Sequence, residues 1–288
     1  MITGETRLAG VMATPIKHSL SPLIHNTGFT YKTIDSVYLA FDVSQEELPQ
    51  ALESIKILNM LGVNLSMPLK QLAYELVDQT TAAADLVESI NTIVHHEGQL
   101  IGYNTDGMGF MASLVEAEVE VIGKKITVLG TGGGGLAIIA QAALDGVKQI
   151  YVFKRKGGDF DKVKEKIYKI SQVTNCLITL LPLEEKALLK NAIAQSHLLV
   201  NATSVGMSPN EDDSLISETH YFHDQLVVAD IVYQPEETKL LALAKQAGCL
   251  TVNGLGMLIH QAASAFELWT ETKLPIKEVK EAVKNQIK

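Results

Sequence analysis

The stretch KKITVLGTGGGGLAIIAQAALDG, Lys124 to Gly146, constrains the fold more than any other part of the chain. Ile126 to Leu129 is a short apolar run with β-branched residues, the pattern of a strand buried in a parallel sheet. Gly130, Gly132, Gly133, Gly134 and Gly135 follow, and then an Ala, Leu and Ile stretch that reads as a helix with Gly146 as its C-terminal cap. Strand, glycine turn and helix in that order make a phosphate cradle. The glycines admit a pyrophosphate close to the backbone, and the helix N-terminus presents unpaired N–H groups and the positive end of its dipole. Gly130, Gly132 and Gly135 fill the three positions of a GxGxxG pattern with extra glycines between them. The segment predicts a Rossmann-type, doubly wound dinucleotide-binding domain, with Gly130, Gly132, Gly133 and Gly134 as candidate cofactor contacts.

Composition narrows the class. At 288 residues, 47% hydrophobic and 20% charged, the chain has room for two domains and a large core. Twenty-four basic residues against 33 acidic ones give a net charge of -9, which argues against nonspecific binding to nucleic acid or an anionic membrane. The opening MITGETRLAG has no basic segment followed by an apolar one, and no apolar run approaches the ~20 residues that span a bilayer, so the cytoplasm is the expected location. Cys176 and Cys249 are too few for a disulfide framework or a zinc cluster and are expected to pack as small apolar residues in strands.

From the N-terminus, an apolar strand, Leu8 to Ala13, runs into a loop ending in Ser19-Leu20-Ser21-Pro22. Ser21 before Pro22 has the form of a helix N-cap, whereas Ser19, two residues earlier, has no such role and can converge with Ser21 on a polar ligand. A strand from Ser36 to Phe41 is followed by Ser44-Gln45-Glu46-Glu47, a capping box that predicts a helix to about Leu61. Gly62 to Ser66 reads as a third strand, and Met67-Pro68-Leu69-Lys70 opens the next helix. An open α/β sheet binds ligands beyond the carboxyl ends of its strands, where Ser66 and Lys70 then lie. A helix from Thr81 to Ile90, a β-like run Asn91 to Val94 and a turn His95-His96-Glu97-Gly98 follow. Adjacent histidines in a turn without a third ligand do not make a metal site, and no metal is expected. A return strand, Gln99 to Tyr103, delivers Asn104-Thr105-Asp106-Gly107 and a helix to about Ala117, where Asp106 is either a cap or a cleft residue.

These residues resemble the shikimate and quinate dehydrogenases over nearly the whole chain. The resemblance rests on Ser19-Leu20-Ser21-Pro22, on Asn64-Leu65-Ser66-Met67-Pro68-Leu69-Lys70, and on Ile90-Asn91-Thr92 through Gly102-Tyr103-Asn104-Thr105-Asp106-Gly107-Met108-Gly109. It continues in Asn201-Ala202-Thr203-Ser204-Val205-Gly206-Met207, Asp230-Ile231-Val232-Tyr233-Gln234-Pro235 and Gly254-Leu255-Gly256-Met257-Leu258. It implies that Lys70 and Asp106 are a catalytic pair facing each other across the substrate in a cleft. Hydride transfer between a nicotinamide and a ring ketone must be accompanied by a proton, which a lysine can carry while a carboxylate holds it in place. It further implies that Ser19 and Ser21 take the substrate carboxylate with Tyr38 nearby, that Ser66, Asn91, Thr105, Asp106 and Gln261 take the ring hydroxyls, and that Tyr233 closes over the substrate. Many members carry Thr where this chain has Ser66, and the Ser-Met-Pro form looks more like the branch that also accepts quinate.

Beyond the glycine loop, Gln149 to Arg155 reads as the next strand and ends in Phe153-Lys154-Arg155-Lys156. A carboxylate about 20 residues after the glycine motif marks NAD, whereas basic residues suit the 2′-phosphate of NADP. Lys154 and Arg155 favour NADP, and Arg pairs with phosphate bidentately. Asp159 could instead reach a 2′-hydroxyl, which keeps NAD open. Helices Phe160–172 and 184–194 and strands 177–181, 198–202 and 226–231 continue a parallel sheet, and 208–217 reads as a loop. The resemblance sets Thr203, Gly206 and Met207 against the cofactor, with Val232, Gly254 and Met257 at its nicotinamide end. Met257 starts a helix to Trp269 whose Gln261 returns to the first domain.

The expected architecture is α/β: an open substrate-binding and catalytic domain over 1–105, the dinucleotide-binding domain over 106–236, and a C-terminal segment 237–288 whose last helices pack back on the first. The resemblance implies NADP-dependent reduction of 3-dehydroshikimate, as a monomer or homodimer with a small-molecule substrate. A quinate-preferring, NAD-linked member is the alternative among enzymes. A catalytically silent sensor of nucleotide and cyclitol acid is the alternative outside them, and retention of both Lys70 and Asp106 weighs against it.

Overall fold

Strands β1 (Arg7–Ala13), β2 (Ser36–Asp42) and β3 (Gly62–Leu65) alternate with helices α1 (Ser21–Tyr31), α2 (Leu48–Ile57) and α3 (Lys70–Leu76). The chain continues through β4 (Gln79–Thr80), α4 (Ala82–Val87), β5 (Thr92–His96), β6 (Gln99–Tyr103) and α5 (Asp106–Glu116). The structure, a computed structural model, describes residues 2–287 and divides into two units, Met1–Gly109 with Ile259–Lys288, and Phe110–Leu258.

The first unit is built on a six-stranded sheet of order β2-β1-β3-β5-β6-β4. β1 pairs in parallel with β2 and β3, while β5 runs antiparallel to both β3 and β6. The β5–β6 turn is the pair Glu97-Gly98, both at positive φ, as a two-residue hairpin requires. His95 and His96, expected in that turn, lie instead in β5, and His95 Nδ1 is 3.1 Å from the Met60 carbonyl. The core under the sheet includes Leu48, Leu52, Ile55, Leu69, Ile90 and Ile93.

Two helix predictions change. The Ser44/Glu47 capping box forms, with the Ser44 N–H donating to Glu47 Oε2 (2.9 Å) and the Glu47 N–H to Ser44 Oγ (3.3 Å). It closes a turn, however, and α2 begins only at Leu48 and ends at Ile57, where the expectation had it reach Leu61. Helix α4 stops at Val87 because Glu88 takes a left-handed conformation, φ +50°.

His25 sits at the centre of an aromatic cluster on this sheet. Its ring stacks on Tyr38 at 4.3 Å and meets Trp269 at 5.2 Å and Phe266 at 6.2 Å. Burial pushes the imidazole down to about 3 against a smaller opposite pull from Asn64, and neither ring nitrogen has a partner in hydrogen-bond geometry. Between about 3 and 6.5 the unfolded chain therefore binds the proton that the folded chain refuses, so stability rises with pH across that window and falls as pH drops through it. The slope is up to about 1.4 kcal/mol per pH unit. His25→Phe is expected to flatten this acid limb relative to the wild type, measured as denaturant midpoints of Trp269 fluorescence at pH 7, 5.5 and 4.5. An equal acid loss in both proteins would clear His25 of the effect.

The second unit carries β7 (Lys125–Leu129), α6 (Gly133–Leu144), β8 (Gln149–Lys154), α7 (Phe160–Thr174), β9 (Leu177–Pro182), α8 (Lys186–Ala194), β10 (Leu198–Asn201), β11 (Val227–Asp230), α9 (Lys239–Gln246) and β12 (Leu250–Val252). Its sheet has the order β12-β11-β10-β7-β8-β9, and every neighbouring pair is parallel. The strand order reverses beside β7, so the carboxyl ends of β7 and β10 border the crevice in which such sheets bind ligands. Helix α10 (Gly254–Thr270) starts at Gly254, ahead of the expected Met257, and α11 (Ile276–Ile287) ends the chain.

The sequence reading takes 237–288 as one segment. In the structure α9 and β12 extend the second sheet, because β12 pairs with β11, and the chain from Ile259 onward belongs to the first unit. Cys176 and Cys249 are buried as expected but lie just ahead of β9 and β12, outside the strands. Among the described residues no helix is long and apolar enough to cross a membrane.

Candidate active site and cofactor cradle

Topology brings the first unit's polar residues to one edge. Ser19 and Ser21 follow β1, and Ser66 and Lys70 follow β3. Because β5 is antiparallel to β3 and β6 to β5, the start of β5 and the end of β6 lie at that same edge. Asn91 and the Asn104–Asp106 turn therefore arrive opposite Lys70.

Lys70 Nζ lies 2.6 Å from Asp106 Oδ2, with side-chain exposures of 21% and 10%, so the pair is shielded yet reachable. Asn91 Nδ2 donates to the other carboxylate oxygen, Asp106 Oδ1, at 2.7 Å and to Gln261 Oε1 at 3.4 Å. Asn91 Oδ1 accepts from the Thr105 N–H at 2.8 Å. The carboxylate is thus gripped on both oxygens by donors, a geometry that fixes its orientation. Gly109 makes room for Gln261: a Cβ there would stand 2.5 Å from the Gln261 backbone nitrogen.

The hydroxyl pair behaves otherwise than its sequence suggests. Ser21 makes no side-chain cap on α1, and the Ser21 N–H instead donates to Ser19 Oγ at 3.3 Å, so Ser19 serves the helix start. The Tyr38 phenol is fully buried and pushed well above its usual value by that burial, against a smaller opposite pull from Ser21. Tyr38 meets the site through Asn64, to whose Oδ1 its hydroxyl donates at 2.7 Å. Ser66 is exposed at the edge, its backbone N–H held by the Met12 carbonyl.

In the second unit the glycines divide into two kinds. Gly130 has φ +101°, and a Cβ there would stand 2.5 Å from Thr203 Cγ2; one at Gly135 would stand 2.5 Å from the Gly130 carbonyl oxygen. These two let α6 close onto its loop. At Gly132 and Gly133 a Cβ would meet nothing, which leaves the first turn of α6 bare of side chains. Bare N–H groups beneath open space fit a pyrophosphate. Gly135 was absent from the predicted contacts, and its place at the third position of the glycine spacing was the available signal.

At the end of β8, Lys154 Nζ lies 2.9 Å from Asp159 Oδ2, and the lysine holds that carboxyl below its usual range. Both had been candidate cofactor contacts, and they engage each other. Arg155 is exposed beside them, and the Lys156 N–H donates to Glu184 Oε1 at 3.1 Å. Thr203 Oγ1 donates to Asn201 Oδ1 at 2.7 Å, and Asn201 Nδ2 donates to Asp230 Oδ1 at 3.0 Å. The Val232 N–H also donates to Asp230 Oδ1, at 3.0 Å, and burial pushes the Asp230 carboxyl up. Asn201 and Asp230 thus shape the loops that carry Thr203 and Val232. Gly206 has φ +93°, Met207 is exposed, and Met257 is half-buried on α10. Gly254 starts α10 against the Ile231 carbonyl, with which any Cβ would collide. Tyr233 is half-buried in this unit, and burial pushes its phenol up.

A shikimate dehydrogenase substrate binding domain model matches residues 11–93, and a shikimate 5′-dehydrogenase C-terminal domain model matches residues 254–284. The shikimate dehydrogenase (NADP(+)) of Streptococcus mutans is 46% identical over 288 residues, covering 100% of this chain and 99% of that one. The chain belongs to the shikimate dehydrogenase family. Within that family, a quinate/shikimate dehydrogenase of Escherichia coli O139:H28 is 42% identical, over 98% of each chain. The crystal structure of a Listeria monocytogenes shikimate 5-dehydrogenase, in complex with shikimate and NAD, superposes with a TM-score of 0.95 at 43% identity, over 98% of each chain.

Proposed function

We propose that this chain reversibly reduces 3-dehydroshikimate to shikimate with NADPH, and that Lys70 carries the proton. The observation behind the reading is the 2.6 Å contact of Lys70 Nζ with an Asp106 carboxylate that Asn91 holds on its other side. NADP(H), when bound, supplies or removes the hydride. In the oxidation direction Lys70 Nζ takes the proton of the reacting hydroxyl, and in reduction it returns it. Asp106 keeps Lys70 Nζ within reach in both directions and orients a ring hydroxyl, with Asn91, Thr105, Ser66 and Gln261 as further hydroxyl partners. Ser19 and Ser21 are neutral donors for the carboxylate, which lets an acidic protein hold an anion. Recognition of hydroxyls by buried hydrogen-bond partners discriminates well, since a missing hydroxyl strands its partner.

Gly130, Gly132, Gly133 and Gly134 would hold the cofactor's pyrophosphate, and Arg155 with Lys154 its 2′-phosphate. Thr203, Gly206, Met207, Val232, Gly254 and Met257 would line the remainder. We further propose that the enzyme works in the cytoplasm as a monomer or homodimer.

A second reading, use of quinate and NAD, is favoured by Ser66 and by Asp159. For Asp159 to reach a ribose hydroxyl it would have to leave Lys154, to which it is bound at 2.9 Å. Initial rates of shikimate and quinate oxidation, each with NADP and with NAD, separate the two. Fast shikimate oxidation with NADP, abolished at low cofactor concentration by Arg155→Ala, is the expected result. Equal or faster quinate oxidation with NAD would replace it with the second reading, and no rate in any combination would overturn both.

A further inference from the structure

Asn64 and Thr92 lie behind the catalytic pair, fully or almost fully buried, and face each other across the β3–β5 ladder. Their hydrogen bonds form a continuous line with the site. Tyr38 Oη donates to Asn64 Oδ1 (2.7 Å), and Asn64 Nδ2 donates to the Asn91 carbonyl (3.3 Å) and to Thr92 Oγ1 (3.0 Å). Thr92 Oγ1 donates to Asn91 Oδ1 (3.1 Å), and Asn91 Nδ2 donates to Asp106 Oδ1 (2.7 Å).

Groups that have only one role dictate the direction of the bonds at both ends of this line. A backbone carbonyl can only accept, so the Asn64 amide must turn its nitrogen toward Asn91 and its oxygen toward Tyr38. Asn64 then spends its second N–H on Thr92, whose own hydrogen is left for Asn91 Oδ1 at 3.1 Å, with Thr105 Oγ1 at 3.3 Å as the longer alternative. The Thr105 backbone N–H, which can only donate, demands the same orientation of Asn91 from the other side. The Asn91 nitrogen is thereby aimed at Asp106, the one acceptor in the line that carries charge. His25, stacked on Tyr38 at 4.3 Å, closes the far end of the line.

We infer that Asn64 and Thr92 are positioning residues for the reaction: from behind the site they lock the Asn91 amide so that it donates to Asp106 and leaves the other carboxylate oxygen to Lys70. The inference rests on the proposed roles of Lys70 and Asp106. An amide free to turn would present its oxygen to the carboxylate for part of the time, and a carboxylate so repelled would not hold Lys70 at the reacting hydroxyl.

The test is the full chain with three substitutions. Thr92→Val keeps the shape and removes the hydroxyl, Thr92→Ser keeps the hydroxyl, and Asn64→Leu removes both amide functions. Steady-state kcat and KM for shikimate are read at saturating NADP, with Trp269 fluorescence melting as a check on folding. Thr92→Val is expected to lower kcat about tenfold with KM changed less than about threefold, Thr92→Ser to stay within about twofold of the wild type, and Asn64→Leu to lower kcat by up to about 100-fold. If Asn64→Leu fails to fold, the threonine pair decides. Full kcat in Thr92→Val, or an equal loss in Thr92→Ser, would overturn the inference. An inactive wild type would instead overturn the function on which it rests.

Discussion

Lys70→Met is expected to lower kcat for shikimate oxidation about 10³-fold while KM changes by less than about fivefold. Methionine keeps the length and apolar stem of the side chain, so packing at the start of α3 is conserved and the loss isolates the Nζ group. Asp106 keeps its bond from Asn91 Nδ2 at 2.7 Å, and the contacts of Asn91 with Thr105 and Gln261 are unaffected. What disappears is the Nζ group 2.6 Å from Asp106 Oδ2, which can both take and return a proton. Positioned proton transfer contributes about 10²–10⁴ in rate, which sets the size of the effect. Initial rates with purified protein at saturating NADP provide the measurement, and normal turnover would rule Lys70 out as the proton carrier.

Gly62→Ala is expected to destabilise the first unit by about 3–9 kcal/mol, a large part of the roughly 5–15 kcal/mol that holds a domain together. Gly62 opens β3 at φ +154°, and a Cβ there would collide with the Ile93 carbonyl oxygen and stand 2.5 Å from Trp269 Nε1. Those two atoms form a buried hydrogen bond of 3.0 Å. The substitution thus combines overpacking, at about 1–3 kcal/mol, with backbone strain of about 1–3 kcal/mol and a broken buried bond of about 1–3 kcal/mol. Trp269 is the only tryptophan in the chain, so its fluorescence in a denaturant titration reports this unit directly. A loss below about 1 kcal/mol would mean that β3 and β5 shift apart at little cost.

Much of this protein was legible along the chain. The β7–glycine–α6 cradle depends on a strand period, a run of glycines and a helix following one another, and local backbone geometry alone makes that combination a candidate phosphate site. The basic end of β8, the helix start at Lys70 and the hairpin that delivers Asn104-Thr105-Asp106 were readable for the same reason. Short elements at the limit of periodicity were not: β12 has three residues and β4 two, too few for any pattern, and the Ser44/Glu47 box formed its bonds without starting a helix.

Tertiary structure decided the chemistry that needs partners. Lys70 and Asp106 are 36 positions apart, and Tyr38 and Asn64 26 positions apart, separations over which no period or propensity acts. The antiparallel placement of β5 and β6 beside β3 brings the first pair together, and the parallel order β2-β1-β3 brings the second. Burial leaves the Asn64 and Asn91 amides one permitted orientation each, and packing against Tyr38, Phe266 and Trp269 strips His25 of water and of hydrogen-bond partners. At the end of β8 the sequence supplied Lys154, Arg155 and Asp159 as competing cofactor contacts, and the fold paired Lys154 with Asp159. Residue types and local order come from the sequence itself, whereas the direction of a buried hydrogen bond and the partner of a charge depend on which distant strand lies alongside.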